Sequence, residues 1–163
     1  MALADYFLKI DGIDGESADA KHKGEIELQS WEWAERQGGT GQVGVGGHGV
    51  GKVQMDHYKF TTNVNKSSPK LFLACASGEH IKKAVLSVRK AGKDQQDYLV
   101  FTLSDLHIAS YHVGGPSMGQ VLPEETYTIN FTKLEVEYKE QKPDGTLGGS
   151  TKAGWDVSKS QKV

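Results

Sequence analysis

The chain has 163 residues, 19 Lys/Arg against 21 Asp/Glu, a net charge of −2 and a sequence pI near 6.3. That length fits one domain spanning 1–163, able to bury roughly 70% of its unfolded surface, and the charge balance leaves no electrostatic footprint for nucleic acid or an anionic membrane. The one cysteine, Cys75, excludes an internal disulfide, no apolar run is long enough to enter and span a bilayer, and Met1 to Asp5 lacks the features of a secretory signal peptide, so the expected starting place is the cytoplasm.

In chain order, Asp5 to Ile10 alternates as a first strand, Asp11 to Gly15 is turn chemistry, and Glu16 to Lys23 is a polar connection. Gly24 to Trp33 is a second strand of mixed phase. Ile26 and Leu28 occupy one face and Trp31 and Trp33 the other, which predicts a bulge near Gln29 or a strand covered at one end on each face. A Gly-rich loop over 37–51 cannot build a core alone and reads as a binding or disordered segment. Strand alternation resumes over Lys52–Thr62.

The stretch Ser68–Ser77 reads as the one helix, with Ser68 as a cap, Pro69 at its start and Gly78 as its stop. Leu71, Phe72, Leu73, Ala74, Cys75 and Ala76 make it apolar all round, which predicts enclosure by the surrounding strands. Cys75 is then a core residue and not a nucleophile. Further strands follow over His80–Lys90, Asp97–Leu103 and Leu106–Val113. A long one over Glu125–Glu140 moves its apolar residues from odd to even positions near Thr132-Lys133, the sign of a bulge or of a strand passing between sheets. Ala153–Val157 adds a last strand and the polar tail 158–163 is expected to fray. The sum is a mainly β chain, a β-barrel or two packed antiparallel sheets with one flanking helix.

Motifs for catalysis are missing. The glycine loop spells GxGxxG at Gly44, Gly46 and Gly49 and GxxxxGK over Gly46–Lys52, but it feeds a strand, and Val53 stands where a magnesium-binding hydroxyl is needed. The six histidines show no metal spacing, and His107 and His112, five apart, are expected on opposite strand faces. No nucleophile elbow is present, so no catalytic residue, cofactor or metal is assigned. Asn130-Phe-Thr132 matches a glycosylation sequon by coincidence. Trp31 and Trp33 read either as core or subunit-interface aromatics or as a stacking platform for carbohydrate.

Taken together, Phe7-Leu-Lys-Ile-Asp-Gly-Ile-Asp-Gly-Glu-Ser17, Ile26-Glu-Leu-Gln-Ser-Trp-Glu-Trp33, Gly51-Lys-Val53, Lys66–Gly78, Val88-Arg-Lys-Ala-Gly92 and Gly154-Trp-Asp-Val157 carry a resemblance over nearly the whole chain. The chain resembles the haemolysin-coregulated protein family, the tube subunits of the type VI secretion system. The resemblance implies a structural, non-enzymatic β-barrel that forms homohexameric rings stacked into a hollow tube. It also implies export through the type VI system, with a spike protein of the valine–glycine-repeat type, the contractile sheath and small effector proteins as partners. Ser30-Trp-Glu-Trp33 stands where the family often has Ser-Trp-Ser-Trp, a departure that bears on lumen chemistry and cargo preference. Alternation with Trp31 and Trp33 turns Glu32 the other way, either to the lumen and its cargo or to an outer solvated face. Gln42, Val43, Val45, His48 and Val50 of the glycine loop, with Trp31 and Trp33, are the expected ring-stacking or subunit contacts. The alternative is a secreted carbohydrate-binding or other small-ligand-binding β module.

Overall fold

The computed structural model describes residues 4–38, 51–90, 95–119 and 122–163. Within them eleven strands and one helix follow in the order β1 (Ala4–Ile10), β2 (Ile26–Leu28), β3 (Ser30–Glu32), β4 (Glu35–Gln37), β5 (Val53–Met55), β6 (Tyr58–Asn63), α1 (Ser68–Ser77), β7 (Ile81–Lys90), β8 (Asp97–Gly114), β9 (Glu124–Gln141), β10 (Leu147–Asp156) and β11 (Gln161–Lys162).

All pairings are antiparallel, and one circuit of them closes. β1 pairs β7, β7 pairs β8, β8 pairs β9, β9 pairs β6 and β6 pairs β3. β2 returns to β1. β2 and β3 are two halves of one strand bent at Gln29, whose N–H donates to the Thr61 carbonyl at 2.9 Å. The mixed phase of residues 24–33 is this bend: Ile26 faces the barrel core, and beyond Gln29 Trp31 does. The core is filled by Leu8, Ile26, Tyr58, Phe60, Leu86, Leu103, Leu106, Ile108, Tyr127 and Ile129, each essentially free of solvent.

The phase change in Glu125–Glu140 is a change of edge partner within one continuous sheet. Phe131 and Leu134 are both buried, and opposite them so are Leu106 and Leu103. The β8–β9 register runs through unshifted, from Leu103↔Leu134 to Leu106↔Phe131. What changes is the partner on the other edge of β9: β6 up to Ile129, β10 from Lys133 onward. Asp105, with φ +50°, marks the flip on β8. Residues 97–103 and 106–113 are accordingly one strand, not two.

α1 has the expected bounds but not the expected surroundings. Leu71 and Ala74 are fully buried, whereas Phe72 and Leu73 are each 61% exposed, and Cys75 is half-buried against the core. The helix lies on the flank of the barrel and packs on β8, so only one of its faces is covered. The N-cap is Ser67, not Ser68. Ser67 is held through Asn65, whose Oδ1 accepts from its N–H and its hydroxyl at 2.9 and 2.7 Å. Gly78 ends the helix at φ +65°, a left-handed value that favours glycine.

Two other segments are more ordered than their composition implies. The tail turns back at Ser160 and pairs as β11 with β10. Residues 16–25 fold across the outside of β1 and β7. His22, 5% exposed, stacks on Phe7 with ring centroids 4.3 Å apart, and its ring nitrogens lie 2.7 Å from Glu25 and 2.9 Å from Asp97. Arg89, 3% exposed, meets Asp19 at 2.8 Å and Asp5 at 3.0 Å, and its guanidinium holds the Asp19 carboxyl well below the usual carboxylate range. At Gly15 a Cβ would stand 2.5 Å from the Glu25 carbonyl oxygen, so only glycine allows this approach.

Two predictions follow from this packing. Leu71→Ala should cost about 2–5 kcal/mol in urea unfolding, because a filled site becomes a cavity, whereas Phe72→Ala should cost no more than about 0.5 kcal/mol in the isolated subunit. Alkaline pH should destabilise the protein. Burial, then the hydrogen bond to Glu125, pushes Tyr111 up to about 12, and burial pushes Tyr127 well above its ordinary value. A tyrosine raised in the folded state contributes stability that is full below the unfolded value near 10 and lost as pH rises through the folded one. Unfolding free energy measured from about pH 9 to about pH 12 should therefore fall, with Tyr111→Phe flattening the slope.

Candidate functional site

Alternation sets the solvent face of β3, β6, β9 and the far half of β8. With Trp31, Phe60, Tyr127 and Ile129 turned inward, Ser30, Glu32, Lys59, Thr61, Thr126 and Thr128 turn outward. Register aligns them in rows. Ser30, Thr61 and Thr126 form one, continued on β8 by His112; Glu32, Lys59 and Thr128 form the next, continued by Ser110. The hydroxyls bond one another across strands, Thr61 to Thr126 at 3.3 Å and Ser110 to Thr128 at 2.6 Å. Glu32 is exposed as expected, but it is not a bare carboxylate: Lys59 on the neighbouring strand reaches it at 3.3 Å. The result is a smooth polar wall about 14 Å across four strands.

The histidines on this wall correct a sequence expectation. His107 and His112 lie on the same face, not on opposite ones. The register steps by one between Ile108 and Ser110, so Ala109 is an extra residue that reverses the alternation. His107 stands opposite Asn130 and His112 opposite Thr126, both exposed. The signal was legible: the apolar positions run Leu106, Ile108, then Tyr111 and Val113, an odd step within one strand.

Trp31 and Trp33 are both half-buried, and Trp33 also borders the groove described below. Trp31 packs on Phe101 and Tyr6, with centroids at 5.4 and 6.3 Å. Trp33 stacks on Tyr58 at 5.3 Å and donates its indole N–H to the Asp56 carbonyl at 2.9 Å. Neither ring forms an open platform for a sugar. Asp56 and His57 do not make an acid–base pair; the Asp56 carboxylate is held by Arg36 at 3.2 Å. Gln42, Val43, Val45, His48 and Val50 lie outside the described residues. Among the described residues, no cluster of His, Cys, Asp and Glu is arranged to hold a metal, and no helix is long and apolar enough to cross a membrane.

Past Trp33 the barrel gives way to a groove of about 870 Å³. The β4–β5 hairpin supplies one wall through Val53 and Met55, and the outrun of β8, β9 and β10 supplies the other through Phe101, Leu134, Val136 and Trp155. Composition and alternation gave no sign of the groove, because its two walls come from residues about 50 to 100 positions apart in the chain.

The model of the family described as "Type VI secretion system effector, Hcp" matches residues 7–138. The chain belongs to the Hcp family. Protein hcp1 of Pseudomonas aeruginosa is 40% identical over 155 residues, 94% of each chain. The crystal structure of Hcp1 from Salmonella typhimurium superposes with a TM-score of 0.84 at 39% identity, over 99% of this chain and 100% of that one. A further solved type six secretion system protein gives a TM-score of 0.94 at 28% identity, with the same coverage. The mainly β fold with one helix is thus the Hcp fold, and this chain is a type VI secretion protein.

In this Hcp chain the Glu32–Lys59 pair is solvent-exposed on both sides, so it sets local charge and contributes little stability. A double-mutant cycle of Glu32→Ala and Lys59→Ala in urea unfolding should give a coupling below about 1 kcal/mol.

Proposed function

We propose that this Hcp chain is the structural subunit of a type VI secretion inner tube, assembling through copies of itself into hexameric rings that stack. The observation that carries the reading is the open apolar groove between the β4–β5 hairpin and the β8–β9–β10 outrun, on a scaffold matched end to end by Hcp structures. A large apolar groove beside a closed barrel is costly to leave in water. A second copy of the chain is the occupant that belongs there, because a ring is built from one heterologous contact repeated until it closes.

The hydroxyl wall with Glu32 at its rim then lines the channel. Cross-strand hydroxyl pairs and the Glu32–Lys59 pair leave few unsatisfied or sticky groups, which suits a surface along which effector proteins are held weakly and slide. The glycine loop, with Gln42, Val43, Val45, His48 and Val50, supplies contacts between rings. The spike protein, the sheath and the small effectors are the remaining partners, and the tube leaves the cytoplasm by the type VI route. The role is mechanical, with no reaction assigned to any residue.

Light scattering tests the assembly. Wild type should run as a ring at micromolar concentration, whereas Val136→Glu should run as a folded monomer with unchanged circular dichroism. A wild-type monomer, or rings formed undiminished by Val136→Glu, would remove the groove from the contact. Glu32→Arg should leave the ring intact and alter which effector co-purifies; loss of the ring would place Glu32 in a subunit contact instead.

A further inference from the structure

α1 carries a second apolar surface that the barrel does not use. Ser68, Leu71 and Ala74 face inward and are buried, whereas Pro69, Phe72, Leu73 and Ala76 are all exposed. Those four stand at i, i+3, i+4 and i+7, which on a helix is one continuous stripe. Phe72 and Leu73 at its centre are each 61% exposed. Two adjacent large apolar side chains left in water on one short helix mark an interaction site.

The groove past Trp33 is the complementary feature. Its floor of Phe101, Leu134 and Val136 is apolar, and its volume is about 870 Å³. That lies within the span of about 300–1,000 Å³ over which concave sites enclose a bound group. A single chain cannot join the two surfaces. α1 starts where Ser68 faces the Tyr111 hydroxyl, about 30 Å of strand further along β8 than Phe101. The stripe also turns away from the β8 surface on which α1 packs.

Charge supports the match and sets its direction. The charged residues lining the groove are Glu35, Arg36 and Lys52, and Arg36 is already engaged by Asp56 at 3.2 Å. Beside the stripe stand Lys66 and Lys70 at the start of α1, and Glu79 and His80 past its end. Glu16 accepts from the Lys66 N–H, and His80 lies 3.4 Å from Asp105. Glu35, Lys52, Lys70 and Glu79 form no ion pair among the described residues. Glu35 stands opposite Met55, three residues from Lys52, so the groove charges are about 10 Å apart along the hairpin. Lys70 and Glu79 are about 13 Å apart along the helix axis. One orientation of the helix therefore sets Lys70 against Glu35 and Glu79 against Lys52.

We infer that α1 of one copy docks into the groove of the next, with Phe72 and Leu73 entering between the β4–β5 hairpin and β8–β9–β10. The inference rests on the proposed assembly for the groove being a subunit contact, and it adds which surface fills it. A knob and a hole on different parts of one chain make a heterologous contact, the kind that a ring repeats until it closes.

Dilution of the full chain followed by light scattering tests the contact. Phe72→Asp and Leu73→Asp should each weaken the assembly about thirtyfold or more. Both should keep the wild-type circular dichroism melt, because both side chains are exposed in the subunit. Lys70→Glu and Glu35→Lys should each weaken it about fivefold, and the two together should recover most of the loss. In a Cys75→Ala background, Leu73→Cys combined with Ala153→Cys should give a ladder of covalent oligomers with a short bis-maleimide, and neither single variant should. Undiminished rings in the two Asp variants, no mutual recovery by the charge pair, or no ladder overturns the inference. If Val136→Glu disperses the ring while the Asp variants keep it, the groove is a contact that α1 does not fill. A wild-type monomer removes both readings together.

Discussion

The rest of the architecture depends on the coupled face reversal of β8 and β9 at Asp105 and Thr132-Lys133. On one side of this point β9 lies between β8 and β6, with Leu106 and Phe131 turned into the core; on the other β9 exchanges β6 for β10, and Leu103 and Leu134 are again buried. Reversing only one strand would break the register and strand unpaired backbone groups, each costing free energy if buried. Reversing both at the same level keeps the ladder whole, from Leu103↔Leu134 to Leu106↔Phe131. The local cost is a non-glycine residue at φ +50°, Asp105, and its carbonyl is satisfied by the Thr132 hydroxyl at 2.9 Å. The Thr132 carbonyl in turn accepts from Val157 at 2.8 Å, which seats the end of β10 where β6 has left off.

Much of this was readable from periodicity, and what was not readable has a physical reason. Strand alternation located the bend at Gln29 and the passage at Thr132-Lys133, since a period of two makes any slip visible as a change of face. It placed Glu32 opposite two tryptophans. It mistook α1, because an all-apolar composition says that a helix could be enclosed, not that the chain has enough strands to enclose it: Leu71 and Ala74 are buried while Phe72 and Leu73 are not. The polar connection 16–23 gave no local sign of its order, because that order comes from distant partners, Arg89 and Asp97. The tail looked frayed for the same reason; its partner, β10, lies across a turn set by Ser160. Long-range pairing is invisible to any local window.

The buried polar groups divide into two kinds by how they are satisfied. On the outside, Arg89 and His22 each meet two carboxylates under residues 16–25, with Arg89 reaching both through Nη2 while its Nε and Nη1 have no protein partner. At the end of the barrel Glu125 is fully buried, accepts from the Tyr111 hydroxyl at 2.5 Å and leaves its second oxygen without a protein partner, as does the Tyr127 hydroxyl beside it on β9. The first arrangement fastens a connection by ion pairs together with the stacking of His22 on Phe7. The second sets an unpaired carboxylate oxygen and an unpaired hydroxyl in one low-dielectric interior, where each is costly.

The same step of one residue has opposite consequences at the two places where β8 departs from regular alternation. At Asp105 the partner strand steps with it, the sheet bends, and the apolar face moves to a new side, where the groove lies. At Ala109 the partner does not step; the strand absorbs one unpaired residue, and the face that changes is the polar one, bringing His107 into company with His112. A bulge next to a functional face is a means of re-aiming side chains without altering the core, since Ile108 and Tyr111 on either side both remain packed inward. The core therefore constrains where the bulge can lie far more than it constrains which polar residues the bulge exposes. The wall can then acquire new charge while Ile108, Ile129 and Tyr127 stay as they are, which separates the chemistry of the outer polar face from the stability of the barrel beneath it.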